Sequence, residues 1–173
     1  MKRLALALFV LCGAAPARAD DMASAANGFY ALYLNLPRSG GIPDATARMR
    51  LAPLLSPRLA KLIADAAAAE TRFARANRNA PPLIEGDLFS SLFEGAGSFK
   101  LGACSGDAQK GQCGVTLTHQ DPRQQPVSWN DALLLVNTPS GWKVDDIAYR
   151  AGFQFGNTGL LSDTLKMAVA EAP

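Results

Sequence analysis

The chain has 173 residues, of which 49% are hydrophobic and 18% charged. These values are close to the averages for globular domains, and they exclude a collagen-like, coiled-coil, disordered or multi-span membrane protein. The length allows one or two domains. No specific biochemical activity follows from composition alone.

Residues 1–19 have the pattern of a secretory signal peptide. Lys2 and Arg3 form a positive start, residues 4–15 are apolar, and Ala17-Arg18-Ala19 fits the small-x-small rule for signal peptidase. The apolar stretch is shorter than the ~20 residues that span a bilayer. We therefore predict cleavage after Ala19, a single α+β domain over residues 20–173, a periplasmic or secreted location, and no membrane contact after cleavage.

Removal of the signal peptide changes the charge balance. Three of the 17 basic residues leave, so 14 remain against 15 acidic residues, and the net charge becomes about −1. The remaining basic residues are scattered along the chain, without a run that alternates with aromatic residues. Nucleic acid is therefore not an expected partner.

Two cysteines remain after cleavage, Cys104 and Cys113. They flank a polar, glycine-containing segment, and strand-like residues lie on both sides. Cysteines that face each other across a hairpin reach the Cα spacing of a disulfide, and an exported protein meets an oxidising compartment. We predict a structural disulfide that contributes roughly 2–3 kcal/mol, and neither a metal site nor a redox motif.

The first half of the chain is predicted to be helical. Apolar residues recur at spacings of three and four, and Ser56 followed by Pro57 is a strong start signal for a helix. The predicted helices are Met22–Leu36, Ala45–Leu55 with a break near Pro53, and residues 57 to about 77. Residues 83–94 mix apolar and acidic residues, and their pattern favours no single conformation.

The second half is predicted to form a sheet. The strand-like segments are Ser98–Cys104, Cys113–His119, Val127–Thr138 and Trp142–Arg150. A last helix is predicted from about Gly159 to Ala170. Helices followed by consecutive strands indicate an α+β fold, in which N-terminal helices pack on a four-stranded antiparallel sheet.

Several short motifs resemble a family of exported bacterial proteins that is described as a domain of unknown function. The resemblance extends from about Asn27 to Ala168. Its motifs are Leu55-Ser56-Pro57-Arg58-Leu59, Glu85-Gly86-Asp87-Leu88-Phe89, Trp129-x-Asp131, residues 141–149 and Gly156-Asn157-Thr158-Gly159. That family is similar to the cystatin-like cone shared by nuclear transport factor two and ketosteroid isomerase. The resemblance implies a curved sheet that wraps a long helix and leaves a pocket, but it implies no reaction.

Carboxylates and aromatic residues are the remaining candidates for chemistry, since no metal cluster, catalytic triad motif or phosphate loop is present in the sequence. Buried carboxylates act as general bases in some pockets of this shape, but buried polar groups are more commonly structural. We assign no catalytic residue, no metal and no cofactor. The candidate pocket residues are Tyr30, Asp87, Glu94, Trp129, Asp131, Asp146 and Tyr149.

The turn between the last two strands decides whether Asp131 and Asp146 share a face of the sheet. A two-residue loop at Pro139 and Ser140 places both acids on one face. A three-residue loop that includes Gly141 shifts the pairing by one residue, so the acids face opposite sides. Pro139 together with Gly141 favours the three-residue loop.

Three hypotheses about function follow. The first is an uncharacterised exported binding or protein-interaction domain, whose partner is a small apolar ligand or another protein. The second is a small isomerase or hydrolase that uses Asp131 or Asp146 as general base, with Tyr149 or Tyr30 as proton donor. The third is a homodimer through the exposed sheet face. An interior filled with Leu, Phe and Trp favours interaction through the outer surface, whereas an open cavity containing acids favours chemistry.

Overall fold

The computed structural model describes residues 19–37 and 40–172. The predicted signal peptide lies outside this range except for Ala19, so its cleavage stays a prediction. Within this range, no helix is long and apolar enough to cross a membrane.

The described chain has four α-helices and a short 3-10 turn. They are α1 (Ala19–Tyr33), α2 (Ala45–Leu51), the 3-10 turn (Ala52–Leu54), α3 (Pro57–Ala76) and α4 (Leu161–Glu171). The break near Pro53 is confirmed, because the chain tightens into the 3-10 turn there. The start signal at Ser56 is also confirmed: its hydroxyl oxygen accepts the Leu59 N–H at 3.0 Å, which caps α3.

Helix α1 ends earlier than predicted. The amides of Asn35 and Leu36 bond to carbonyl oxygens three residues back rather than four, so the helix tightens into turns before Pro37. Its first turn carries Asp20 and Asp21, whose negative charges suit the helix N-terminus.

The strands form one antiparallel sheet in the order β1-β2-β3-β4-β5. Their bounds are β1 (Ser98–Gly106), β2 (Lys110–His119), β3 (Val127–Thr138), β4 (Gly141–Tyr149) and β5 (Gly159–Leu160). The α+β class is confirmed, but the predicted four-stranded sheet lacks the fifth strand, β5, that the structure contains. Gly159 and Leu160 pair with Tyr149 and Ala148, so α4 begins at Leu161 rather than at Gly159.

The predicted disulfide is present in the structure. Cys104 and Cys113 are direct partners across β1 and β2, with their Cα atoms 4.1 Å apart, and their sulfur atoms are bonded. The hairpin extends beyond the cysteines to Gly106 and Gly111, so both strands are longer than predicted.

The prediction of a three-residue loop between β3 and β4 was wrong. Thr138 pairs with Gly141, which leaves a two-residue loop of Pro139 and Ser140. Gly141, the first residue of β4, has a positive φ of 92°, which glycine adopts readily. A β-bulge farther along the hairpin then shifts the pairing by one residue, so Asp146 lies opposite Leu134. Successive residues of a strand face opposite sides of the sheet, so Asp131 and Leu134 lie on opposite faces of β3. Because Asp146 lies opposite Leu134, the two acids do not share a face.

The core lies between the helices and one face of the sheet. Helix α1 contributes Phe29 and Tyr30, and the sheet contributes Leu133 and Ile147, all of them with no exposed surface. Residues 77–97 connect α3 to β1 without a helix or a strand, yet part of this segment is buried in the same core. Its core side chains are Ile84, Leu88, Phe89 and Ala96.

Candidate functional site

Asp131 lies on the core-facing row of β3 and is 1% exposed. Its Oδ2 accepts the Ser91 N–H at 2.8 Å and the Trp129 indole N–H at 3.0 Å. Its Oδ1 accepts the Arg150 N–H at 2.9 Å and a short hydrogen bond from the Ser91 hydroxyl. A carboxylate offers about four acceptor positions, and four donors occupy them here. No lone pair is left to take a proton from a substrate.

Asp146 sits in the bulge of β4 and is 5% exposed. Its Oδ1 accepts the N–H groups of Ile147 and Ser162, each at 2.9 Å. Ser162 is in the first turn of α4, whose own N-cap residue, Leu160, makes no side-chain hydrogen bond. Asp146 therefore supplies from a neighbouring strand the helix cap that α4 lacks.

Asp145 and the start of α3 form a charged contact beside Asp146. The Arg58 guanidinium lies 2.9 Å from Asp145 Oδ2 and 3.4 Å from Asp146 Oδ2, and the Ser56 hydroxyl donates to Asp145 Oδ1 at 2.5 Å. Burial by itself raises the pKa of Asp145, but the hydrogen bonds from Arg58 and Ser56 outweigh it and lower that pKa. These contacts attach α3 and α4 to the edge of the sheet.

The two candidate proton donors are both buried phenols. Burial raises the pKa of Tyr30 well above the ordinary value, and nearby acids, Asp131 foremost, add to the shift. Its hydroxyl is buried and has no hydrogen-bond partner among the described residues, and its ring stacks on Phe99 at 5.3 Å. The Tyr149 hydroxyl donates to the Leu88 carbonyl oxygen at 2.7 Å, and burial raises its pKa too.

Asp87 belongs to the connecting segment 77–97. Its Oδ2 accepts the Tyr33 hydroxyl and its Oδ1 the Phe89 N–H, each at 2.8 Å. A cavity of about 50 Å³ lies beside it, lined in part by Leu88 and Ala47. Ligand pockets measure about 300–1,000 Å³, so this cavity is too small for an organic ligand.

In the interior, the connecting segment 77–97 packs against α1. Phe89 packs edge-on against Phe29 at 5.5 Å and against Tyr33 at 5.8 Å. On the same side of the sheet, Trp129 packs edge-on against Phe153 at 5.5 Å. The predicted site residues are therefore not assembled around one opening.

The structure brings part of the predicted set together: Asp87 and Asp131 are close enough to Tyr30 and Tyr149 for their charges to raise the pKa of both phenols. Asp131 and Trp129 bond to each other, whereas Asp146 lies at the sheet edge as a helix cap. Glu94 is exposed and lies outside the interior group. Among the described residues, no group of three or more His, Cys, Asp or Glu side chains is arranged to hold a metal ion.

An exposed aromatic surface was missed in the sequence. Phe155 is 79% and Phe93 42% exposed. With Leu92 and Phe153 they line an open groove of about 460 Å³, which Glu85 and Glu94 flank. We call Leu92, Phe93, Phe153 and Phe155 the aromatic platform. Its signal in the sequence is the Phe153-Gln154-Phe155-Gly156 stretch, where two phenylalanines precede a glycine outside any strand or helix pattern.

The fold and the site together define an α+β domain with a filled interior and an exposed aromatic surface. Comparisons of the chain with protein-family models, with curated proteins and with solved structures give no match.

Proposed function

We propose that the chain is an exported, non-catalytic interaction domain that binds a protein partner through its outer surface. The observation that carries the proposal is the filled interior, in which Asp131 accepts four hydrogen bonds and Phe89 packs against α1. A binding function without an interior pocket must use the surface, and the larger concave regions are open grooves there.

Export is supported by two independent features. The first is the signal-like pattern of residues 1–19. The second is the disulfide between Cys104 and Cys113, since such bonds persist in oxidising compartments and are rare in the cytosol of most organisms. We infer a periplasmic or secreted location, and the cystatin-like cone remains our proposal for the wider fold family.

The alternative, a small isomerase or hydrolase, gains no support from the candidate residues. A general base needs a lone pair directed at a substrate. The oxygen atoms of Asp131 are fully used by protein donors, and Asp146 caps a helix. The Tyr30 hydroxyl is buried among aromatic rings rather than directed at a groove.

Photocrosslinking in the exporting cell tests the proposal. A photoreactive phenylalanine analogue replaces one exposed residue at a time on three different faces: Phe155, Met49 on α2, and Ser128 on β3. We expect a discrete protein adduct from at least one face, identified by mass spectrometry, and an N-terminus at Asp20 in the exported form.

Native mass spectrometry of the same exported protein provides the opposing test. The cavity beside Asp87, at about 50 Å³, is too small for an organic ligand, so the mass should equal that of the polypeptide alone. The absence of adducts from all three faces, or an organic molecule retained in the interior, would contradict the proposal.

A further inference from the structure

Two loops are joined beneath the aromatic platform. The Asn157 side chain donates to the carbonyl oxygens of Asp87 and Ser90, at 2.6 and 2.7 Å, and the Asn157 N–H donates to Ser91 at 3.0 Å. The segment that carries Phe155 is thus bonded to the segment that carries Phe93. The two exposed rings are held in a fixed relation to each other.

Two glycines allow this close approach. Gly86 has a positive φ of 65°, which glycine adopts readily. A Cβ atom at this position would lie 2.5 Å from the Phe93 ring, so the ring can pack directly on the Gly86 backbone only because glycine has no side chain. A Cβ atom on Gly156 would overlap the Ser91 carbonyl oxygen. A preorganised aromatic surface loses little conformational entropy when a partner binds.

The charges around the platform are acidic. Glu85 and Glu94 are both exposed and line the same groove as Phe93 and Phe155. Neither forms an ion pair with another residue in the described part of the chain. Two exposed carboxylates beside exposed rings complement a surface that is both apolar and positively charged.

We propose that the aromatic platform binds a segment of a partner protein in which a lysine or arginine is adjacent to an apolar side chain. The apolar side chain covers the rings of Phe93 and Phe155. The basic side chain pairs with Glu85 or Glu94 and gains a cation–π contact with the rings. This inference rests on the proposed function and names the surface and the chemistry of its partner.

The same charges argue against a membrane as the occupant. Anionic lipid headgroups attract basic residues, and Glu85 and Glu94 repel them. A second copy of this chain is the other protein occupant to be tested. The experiment distinguishes it from a partner protein.

The test is selection from a random peptide library displayed on phage, with the folded, disulfide-bonded domain as bait. We expect enriched peptides to carry Lys or Arg within two or three positions of an aliphatic or aromatic residue. Synthetic versions of these peptides are then measured against Phe155→Ser, against the double variant Glu85→Gln with Glu94→Gln, and against the control Met49→Ser. Met49 is matched to Phe155, since it is a large apolar residue that is 69% exposed.

Loss of the Phe155 ring should weaken binding about tenfold or more, as expected when a central aromatic contact is removed. The double glutamine variant should weaken binding roughly three- to tenfold and reduce its dependence on salt. The Met49→Ser control should bind as the unaltered domain does. Unchanged unfolding curves for all three variants establish that the fold is intact.

Three results would overturn the inference: no enriched peptides, an acidic or uncharged consensus, or peptides whose affinity is unchanged by Phe155→Ser. A dimer that dissociates on Phe155→Ser, seen by sedimentation, would assign the platform to a second copy instead. In each case a protein adduct from the other faces leaves the proposed function standing, whereas the absence of any surface adduct removes it.

Discussion

Replacing Asp131 by alanine tests whether this carboxylate is structural. In the native protein it accepts hydrogen bonds from two backbone amides, one indole and one hydroxyl. The Ser91 hydroxyl can rotate toward another acceptor. The Ser91 and Arg150 amides and the Trp129 indole cannot, because the backbone and the packed ring fix their directions.

The expected loss of stability follows from the burial of these donors. A buried donor without an acceptor costs about 1–3 kcal/mol. Ser91 and Trp129 are almost fully buried, at 0% and 6% exposure, whereas Arg150 lies where water reaches it. We therefore expect Asp131→Ala to lower the free energy of unfolding by about 3–5 kcal/mol. Asp131→Asn keeps one carbonyl oxygen and should lose about 1–3 kcal/mol.

Urea denaturation at neutral pH measures this loss. With an m-value of about 2 kcal/mol/M, the midpoint of the alanine variant should fall by roughly 1.5–2.5 M. Glu94→Gln is the control, since Glu94 is exposed and a surface substitution should change stability by no more than about 0.5 kcal/mol. A loss below about 1 kcal/mol for Asp131→Ala would refute the structural role and reopen the general-base hypothesis.

Further expected outcomes concern the tyrosines, the disulfide and the charged contact. Tyr30→Phe removes a buried hydroxyl that has no partner among the described residues, so the free energy of unfolding should stay unchanged or rise. Tyr149→Phe loses a hydrogen bond and should lower the free energy of unfolding by about 0.5–1.5 kcal/mol in chemical denaturation. A loss in Tyr30→Phe as large as in Tyr149→Phe would contradict this. Replacing both Cys104 and Cys113 by alanine should cost about 2–3 kcal/mol, and thiol titration of the unaltered protein should find neither free. The lowered pKa of Asp145 stabilises the fold above the ordinary aspartate pKa, and this contribution disappears as pH falls through the folded-state pKa. The stability gap between the unaltered protein and Asp145→Asn should therefore close between about pH 5 and 2, and a gap that does not change with pH would show that the charge is irrelevant.

Much of the fold was predictable because local signals and tertiary packing agree. Ser56 before Pro57 predicts the start of α3, because serine is a good N-cap residue and proline fits the first turn of a helix. The cysteines mark the first hairpin, and the break at Pro53 follows from the missing amide of proline. In these places the reason lies within a few residues of the feature.

The less predictable features depend on partners distant in sequence. The bulge in β4 that shifts the register is stabilised by contacts of Asp145 and Asp146 with α3 and α4, so the turn residues alone could not reveal it. The apolar residues of segment 77–97 follow neither the helix nor the strand periodicity. The conformation of this segment is set instead by hydrogen bonds to distant residues, such as those of Ser91 to Asp131 and of Asn157 to Ser90. The exposed rings were missed for the same reason, since they lie on the segments that these bonds hold together.

The candidate site and the aromatic platform are parts of one arrangement. Asp131 accepts the amide of Ser91, which lies in the segment that carries Phe93. It also accepts the amide of Arg150, the first residue after β4, where the segment that carries Phe155 begins. A buried carboxylate that suggested a catalytic base therefore fixes the origins of both loops whose tips expose the aromatic rings. In this fold the carboxylate in the interior positions the two segments that carry the exposed rings, and its four hydrogen bonds account for its burial among apolar residues.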